Sequence, residues 1–135
     1  MEEIDMQIIR ELEKGEKLED ISKKLKISIA TIRNHMNKLE EKKIIVDKRY
    51  RLRYKLMGMQ EIILGLDVKP DYLIDAISSL KGMKNVRELY RTSGDHVLIA
   101  VLIGKDEELK KDMEKIMGMQ GVNRLFPAFV EEIEK

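Results

Sequence analysis

Asn34 and Asn37 sit three residues apart, with Arg33 and Lys38 beside them and Ala30 and Thr31 one turn earlier. These residue types suit the reading of a duplex. An asparagine amide pairs bidentately with adenine, an arginine or lysine with guanine or phosphate, and the methyls of alanine and threonine pack on the thymine methyl. Each good bidentate contact is worth roughly 1–3 kcal/mol of discrimination between bases. A polar helix face is ordinarily just solvated, but a solvated face mixes charge signs. Here no aspartate or glutamate occurs from residue 21 to residue 39.

Those side chains need a helix to present them, and the apolar spacing predicts one. Ile29, Ile32, Met36 and Leu39 recur at helical intervals, and Ser28 stands where a hydroxyl can cap the first turn. At about 100° per residue, Ala30, Asn34 and Asn37 fall opposite Ile32, flanked by Thr31, Arg33 and Lys38. Before this helix, Leu18, Ile21 and Leu25 mark a shorter one, and Ile4, Ile8, Ile9 and Leu12 mark a first, stopped by Gly15. Two short helices joined near Lys26 and Ile27, braced by a third, have the layout of a helix-turn-helix.

Charge agrees with this reading. The net charge of the chain is only +1. Residues 1–20 carry 3 basic and 8 acidic side chains, residues 21–55 carry 12 and 3, and the remainder 11 and 14. The positive field is therefore concentrated around the candidate reading helix, which points to a polyanionic partner. Phosphate contacts are expected from Lys23, Lys24, Arg33, Lys38 and the cations of residues 48–55, Arg49 and Arg51 among them. Base reading is expected from Ala30, Thr31, Asn34 and Asn37. In residues 44–56, Arg49, Arg51, Arg53 and Lys55 alternate with Tyr50, Leu52, Tyr54 and Leu56. A strand here would put the cations on one face.

The rest of the sequence offers little to catalysis. Cysteine and tryptophan are absent, and the two histidines, His35 and His96, fall in different regions. No metal-ligand spacing and no phosphate-cradling glycine loop is found, so no cofactor, no metal and no enzyme activity is expected. No apolar run reaches the roughly 20 residues of a membrane span, and the acidic start MEEIDMQ does not look like a signal peptide. A cytoplasmic protein is the expectation.

Beyond residue 60 the pattern changes. Residues 61–68 alternate as a strand, and Pro70 and Asp71 open a helix through Leu80. Strands are predicted from Val86 to Thr92 and over 97–103, with Ser93-Gly94-Asp95 as the turn between them. A helix capped by Asp106 follows, and after Gly121 a last strand, where Pro127 implies an edge or bulge position. The order β-α-β-β-α-β is that of a ferredoxin-like unit, making the whole chain α+β. Two helices cover one face of such a sheet. The other alternates apolar residues and needs a cover, so a homodimer is expected.

The run Ile4-Asp5, Leu18-Glu19-Asp20-Ile21-Ser22, Ser28 through Arg33, Met36, Leu39-Glu40-Glu41 and Ile44-Ile45 resembles the N-terminal domain of the leucine-responsive regulatory protein/AsnC, or feast/famine, transcriptional regulators. Residues 88–109, ELYRTSGDHVLIAVLIGKDEEL, resemble the same family's effector-sensing domain. The resemblance covers nearly the whole chain. It implies a winged or three-helix DNA-binding domain at 1–44, a linking strand and hinge at 45–59 that pairs between subunits, and an effector-sensing and oligomerisation domain at 60–135. It implies double-stranded DNA as partner, dimers assembling further, and an amino-acid effector held near Thr92, Ser93, Gly94 and Asp95. Ser28 joins the DNA-binding set as the start of the reading helix.

The chain departs from the family pattern in places. Lys26 and Lys43 stand where glycines are common, and Ile29 where a proline is common. Val97 replaces a second acidic residue, and Phe126, Pro127 and Ala128 stand where threonines often lie. Sirohaem decarboxylases share this two-domain layout but tend to carry an aromatic-rich, proline-containing motif, unlike YRTSGDHVLIAVL here. Such an enzyme, or an amino-acid sensor without DNA binding, is the alternative reading.

Overall fold

The computed structural model describes all 135 residues. They divide into two compact units, Met1–Tyr50 and Arg51–Lys135.

The first unit is three helices: α1 (Glu3–Glu13), α2 (Leu18–Leu25) and α3 (Ile29–Glu41). Their apolar stripes meet at Ile8, Ile21 and Ile32, one from each helix and all fully buried. Ile4, Leu12, Leu18, Leu25, Ile27 and Met36 pack around them. Burying each isoleucine contributes about 1.5–3 kcal/mol, so this small core depends on very few side chains. The Ser28 hydroxyl does cap α3, accepting the Thr31 N–H at 3.1 Å.

Two turns shape this unit. Lys26 (φ 57°) closes α2, and Lys43 (φ 60°) follows α3; no other non-glycine residue has positive φ. The side chain of an L-residue makes this conformation unfavourable by about 1–2 kcal/mol. These are the two positions where the family pattern often has glycine. Local hydrogen bonds close both left-handed turns here without it. At the first, the Ile27 N–H donates to the Ser22 carbonyl at 3.2 Å and the Ser22 hydroxyl to the Ile27 carbonyl at 2.5 Å.

The expected strand over 44–56 does not form in the single chain. Residues 45–53 lie in neither helix nor strand, and Tyr54–Met57 is a short 3-10 turn. A strand needs a neighbour to satisfy its alternate N–H and C=O groups, and no segment of this chain pairs with it. Val46 and Tyr50 are each 88% exposed, so the apolar side of the segment is also uncovered. With Lys55 in the 3-10 turn, the four alternating cations do not share one strand face.

The second unit follows the expected order. Its elements are β1 (Gln60–Val68), α4 (Leu73–Lys81), β2 (Val86–Arg91), β3 (Leu98–Gly104), α5 (Asp106–Met117) and β4 (Val122–Phe129). The antiparallel sheet has the order β2-β3-β1-β4. Alternation decides its faces: Ile62, Leu64 and Leu66 of β1 join Leu98, Ala100 and Leu102 of β3 beneath Ala76 and Leu80 of α4 and Leu109 and Ile116 of α5. Pro127 sits on edge strand β4, where its missing N–H costs no ladder bond on the open side. Helix α5 starts one residue earlier than an Asp106 cap would give. Lys105 is the cap residue, and its N–H donates to the Glu108 carboxylate at 3.2 Å. No helix is long and apolar enough to cross a membrane.

Candidate nucleic-acid interface

Helix α3 turns Ile32 and Leu39 inward and leaves Ala30, Arg33, Asn34, Asn37 and Lys38 exposed. The four polar side chains make no hydrogen bond or ion pair within the chain, so their donors and acceptors are available to a partner. Lys23 on α2 is likewise exposed and unengaged.

Other predicted contacts are already occupied. Thr31 is half-buried, and its hydroxyl lies 2.8 Å from that of Ser28, so its methyl rather than its oxygen is left for a base. Ser28 is spent on the cap. Lys24 is tied to the nearly buried Glu11 of α1, Nζ to carboxylate at 3.0 Å, and would have to release it to reach a phosphate. Arg49 pairs with Asp47, and Lys48 lies 2.5 Å from Glu40. Arg51 donates from Nη1 to the Lys135 carbonyl at 2.7 Å.

Behind the exposed face, a polar strut fixes the orientation of α3. Asp5 of α1, nearly buried, lies 2.7 Å from His35 Nδ1 and accepts the Glu2 N–H at 3.2 Å. Glu11 ties α1 to α2 in the same way through Lys24, with Lys14 at 3.4 Å. The sequence held one signal of Glu11: it falls three residues after Ile8, on the inward side of α1. Asp5, three residues before Ile8, carried the same signal, but its pairing with His35 did not, because the two are 30 residues apart. The carboxylates of Glu2 and Asp5 and the His35 imidazole lie within 4.8 Å of one another, the one grouping in the chain close enough to share a metal ion. The Asp5–His35 hydrogen bond already accounts for that proximity.

The strut makes a pH prediction. The hydrogen bond from His35 holds the Asp5 carboxyl below its ordinary range against the opposing effect of burial, and the Glu2 N–H adds to it. Lys24 does the same for Glu11. A carboxyl depressed in the folded state stabilises it above the ordinary carboxylate pKa, and that contribution is lost as pH falls through the folded value. Acid titration of unfolding should therefore show the helical unit losing stability below the ordinary carboxylate range. Asp5→Asn and Glu11→Gln should each start less stable at neutral pH and flatten that acid limb. Parallel curves for wild type and both variants would show that these carboxylates carry no pH dependence.

In the second unit, the predicted effector residues form a tight turn between β2 and β3. Thr92 donates its hydroxyl to the His96 carbonyl at 2.7 Å, Gly94 takes φ 113°, and Ser93, Gly94 and Asp95 are exposed. Thr92 thus closes the turn, leaving Ser93, Gly94 and Asp95 to face outward. The His96 ring lies against Gly65, where a Cβ would come within 2.5 Å of it. It also packs on Phe126 at 4.6 Å and reaches Asp67 at 3.3 Å.

Residues 1–46 match a family model described as winged helix-turn-helix DNA-binding. The HTH-type transcriptional regulator LrpA of Pyrococcus horikoshii is 38% identical over 116 residues, 84% of this chain and 82% of that protein. The HTH-type transcriptional regulator Ptr1 of Methanocaldococcus jannaschii is 34% identical over 128 residues, 91% and 86% of the two chains. Among solved structures, the leucine response regulatory protein of Mycobacterium tuberculosis superposes with a TM-score of 0.78 at 16% identity, over 100% of this chain and 95% of that one. The Neisseria meningitidis regulator NMB0573, solved as a complex with L-Met, gives 0.73 at 15% identity over 100% and 92%. These last two identities speak for the fold alone. With its three-helix DNA-binding unit and its βαββαβ unit, the chain belongs to the Lrp/AsnC family of HTH-type transcriptional regulators.

Proposed function

We propose that this protein acts as a non-enzymatic, cytoplasmic regulator that binds a two-fold DNA site as a homodimer or larger assembly. The observation carrying this reading is the exposed, unengaged and acid-free face of α3, with Arg33, Asn34, Asn37 and Lys38. Asn34 and Asn37, with the methyls of Ala30 and Thr31, read base edges. Arg33, Lys38 and Lys23 hold phosphates, and the cations of residues 48–55 extend that grip. Lys24, Arg49 and Arg51 contribute on releasing their present partners.

The dimer follows from the sheet. Its face away from α4 and α5 carries Ile63, Tyr90, Ile99 and Phe126, with Ile63 43% and Tyr90 50% exposed. An apolar face of this kind is stable in water when a second copy covers it. Pairing between subunits would also give residues 45–53 the ladder partner they lack. The exposed turn Ser93-Gly94-Asp95 presents backbone N–H groups for a carboxylate and an acid for an ammonium, which suits a free amino acid. The methionine complex of the Neisseria regulator supports that class of effector.

Selection of bound duplexes from a random pool tests the reading. The expected outcome is an enriched pseudo-palindrome whose half-sites lie about 34–36 Å or a multiple apart. Repeating the binding with each amino acid identifies an effector by a change in affinity. No enrichment at low salt would refute DNA reading by α3.

A further inference from the structure

Two cations of the linker segment, Arg51 and Lys55, are engaged by one short stretch of the same chain. Residues 131–135, Glu-Glu-Ile-Glu-Lys, follow β4 and carry three carboxylates and one ammonium. The Val130 N–H donates to the Glu61 carbonyl at 2.9 Å, extending the β1–β4 ladder past Phe129 and directing the segment toward the 3-10 turn Tyr54–Met57. There Lys55 Nζ meets Glu131 at 3.3 Å, and Arg51 meets the Lys135 carbonyl at 2.7 Å. Val130 and Ile133 turn their apolar side chains to a small cleft of about 140 Å³ that Tyr54 and Leu56 also line. Ile133 is half-buried while Glu131, Glu132 and Glu134 are exposed. The apolar residues thus anchor the segment, and Glu131 remains on Lys55.

We propose that residues 131–135 act as a tethered competitor of DNA, with the Glu131 carboxylate standing in for a backbone phosphate against Lys55, the Lys135 carbonyl occupying Arg51, and Glu132 and Glu134 adding negative charge to the same segment. Carboxylate and phosphate are both oxygen anions that charge-assisted hydrogen bonds recognise. The chemistry is an ion exchange: DNA engages the linker only as the segment lets go. The consequence is specific. Phosphate binding releases cations condensed on DNA, whereas displaced glutamates recruit cations from solution, so the segment makes the salt slope of binding shallower. The inference rests on the reading of residues 48–55 as a phosphate contact.

The test is a double-mutant cycle on DNA affinity as a function of salt. One arm replaces Glu131, Glu132 and Glu134 with glutamine, a second replaces Arg51 and Lys55 with glutamine, and a third combines them. All use the full chain, with thermal unfolding as a check that the sheet unit is intact. Exposed ion pairs are individually weak, so the first arm should raise low-salt affinity about 3- to 10-fold and steepen the salt slope. The second arm should lower affinity and slope, and in the combined variant most of the gain from the glutamine substitutions should vanish. If the second arm weakens binding but the first changes nothing, the linker contact stands and the competitor is refuted. An equal gain with or without Arg51 and Lys55 also refutes it, since the glutamates then act only through overall charge. If the second arm has no effect, the linker reading fails and the competitor with it.

Discussion

Ile32→Ala should abolish DNA binding while leaving the sheet unit folded. Ile32 is fully buried and belongs to a three-residue core with Ile8 and Ile21. Truncating a buried isoleucine to alanine costs about 2–5 kcal/mol. A unit of Met1–Tyr50 has total stability of roughly 0.05–0.15 kcal/mol per residue, a sum of the same size. The second unit has its own core of twelve buried residues, none shared with the first. Denaturant unfolding should therefore show an early transition for the helical unit displaced to near zero denaturant and a late transition unmoved. Ile32→Val, costing about 0.5–1.5 kcal/mol, should retain binding with a smaller displacement. A single transition moving as one in both variants would show that the two cores unfold together.

The second large effect is on salt. If a dimer makes about 6–10 phosphate contacts, affinity should fall about 10³- to 10⁵-fold between 50 and 200 mM salt. Within that dependence, two exposed residues of α3 should behave oppositely. Asn34→Ala should reduce preference for the selected site by the roughly 1–3 kcal/mol of a bidentate base contact and leave the salt slope unchanged. Lys38→Gln should weaken binding to all duplexes alike and reduce the slope by about one for each phosphate no longer held. Equal changes of slope in the two variants would overturn the division into base-reading and phosphate-holding side chains. The division rests on exposure and chemistry together: both side chains are free, but only the amide offers a donor and an acceptor side by side.

Much of this molecule was legible as periodicity. The stripes of α1, α2 and α3 converge as spaced, Ser28 caps where the pattern required, and the order β-α-β-β-α-β is the one observed. Pro127 is on an edge, as its missing N–H demanded. Periodicity did not show what the segment after α3 does in a single chain. Alternating Arg49, Arg51, Arg53 and Lys55 looked like a strand, yet alternation produces a strand only when a second backbone completes the ladder. Nor did periodicity show that Lys24 is tied to a nearly buried glutamate or that the Thr31 hydroxyl lies against the capping serine.

By itself the sequence determined which residues turn inward, which helix is free of acids over its first three turns and where its first turn is capped. Those properties are set by residues one to four positions apart, through the geometry of the helix and the pleat. Only the tertiary structure decided that His35 meets Asp5, that Lys24 is committed to Glu11, that Gly65 makes room for His96, and that Arg51 and Lys55 meet residues 131–135. Such pairings join positions 13 to 84 residues apart. Spacing along the chain cannot specify them, because they exist only once packing has brought distant backbone into register.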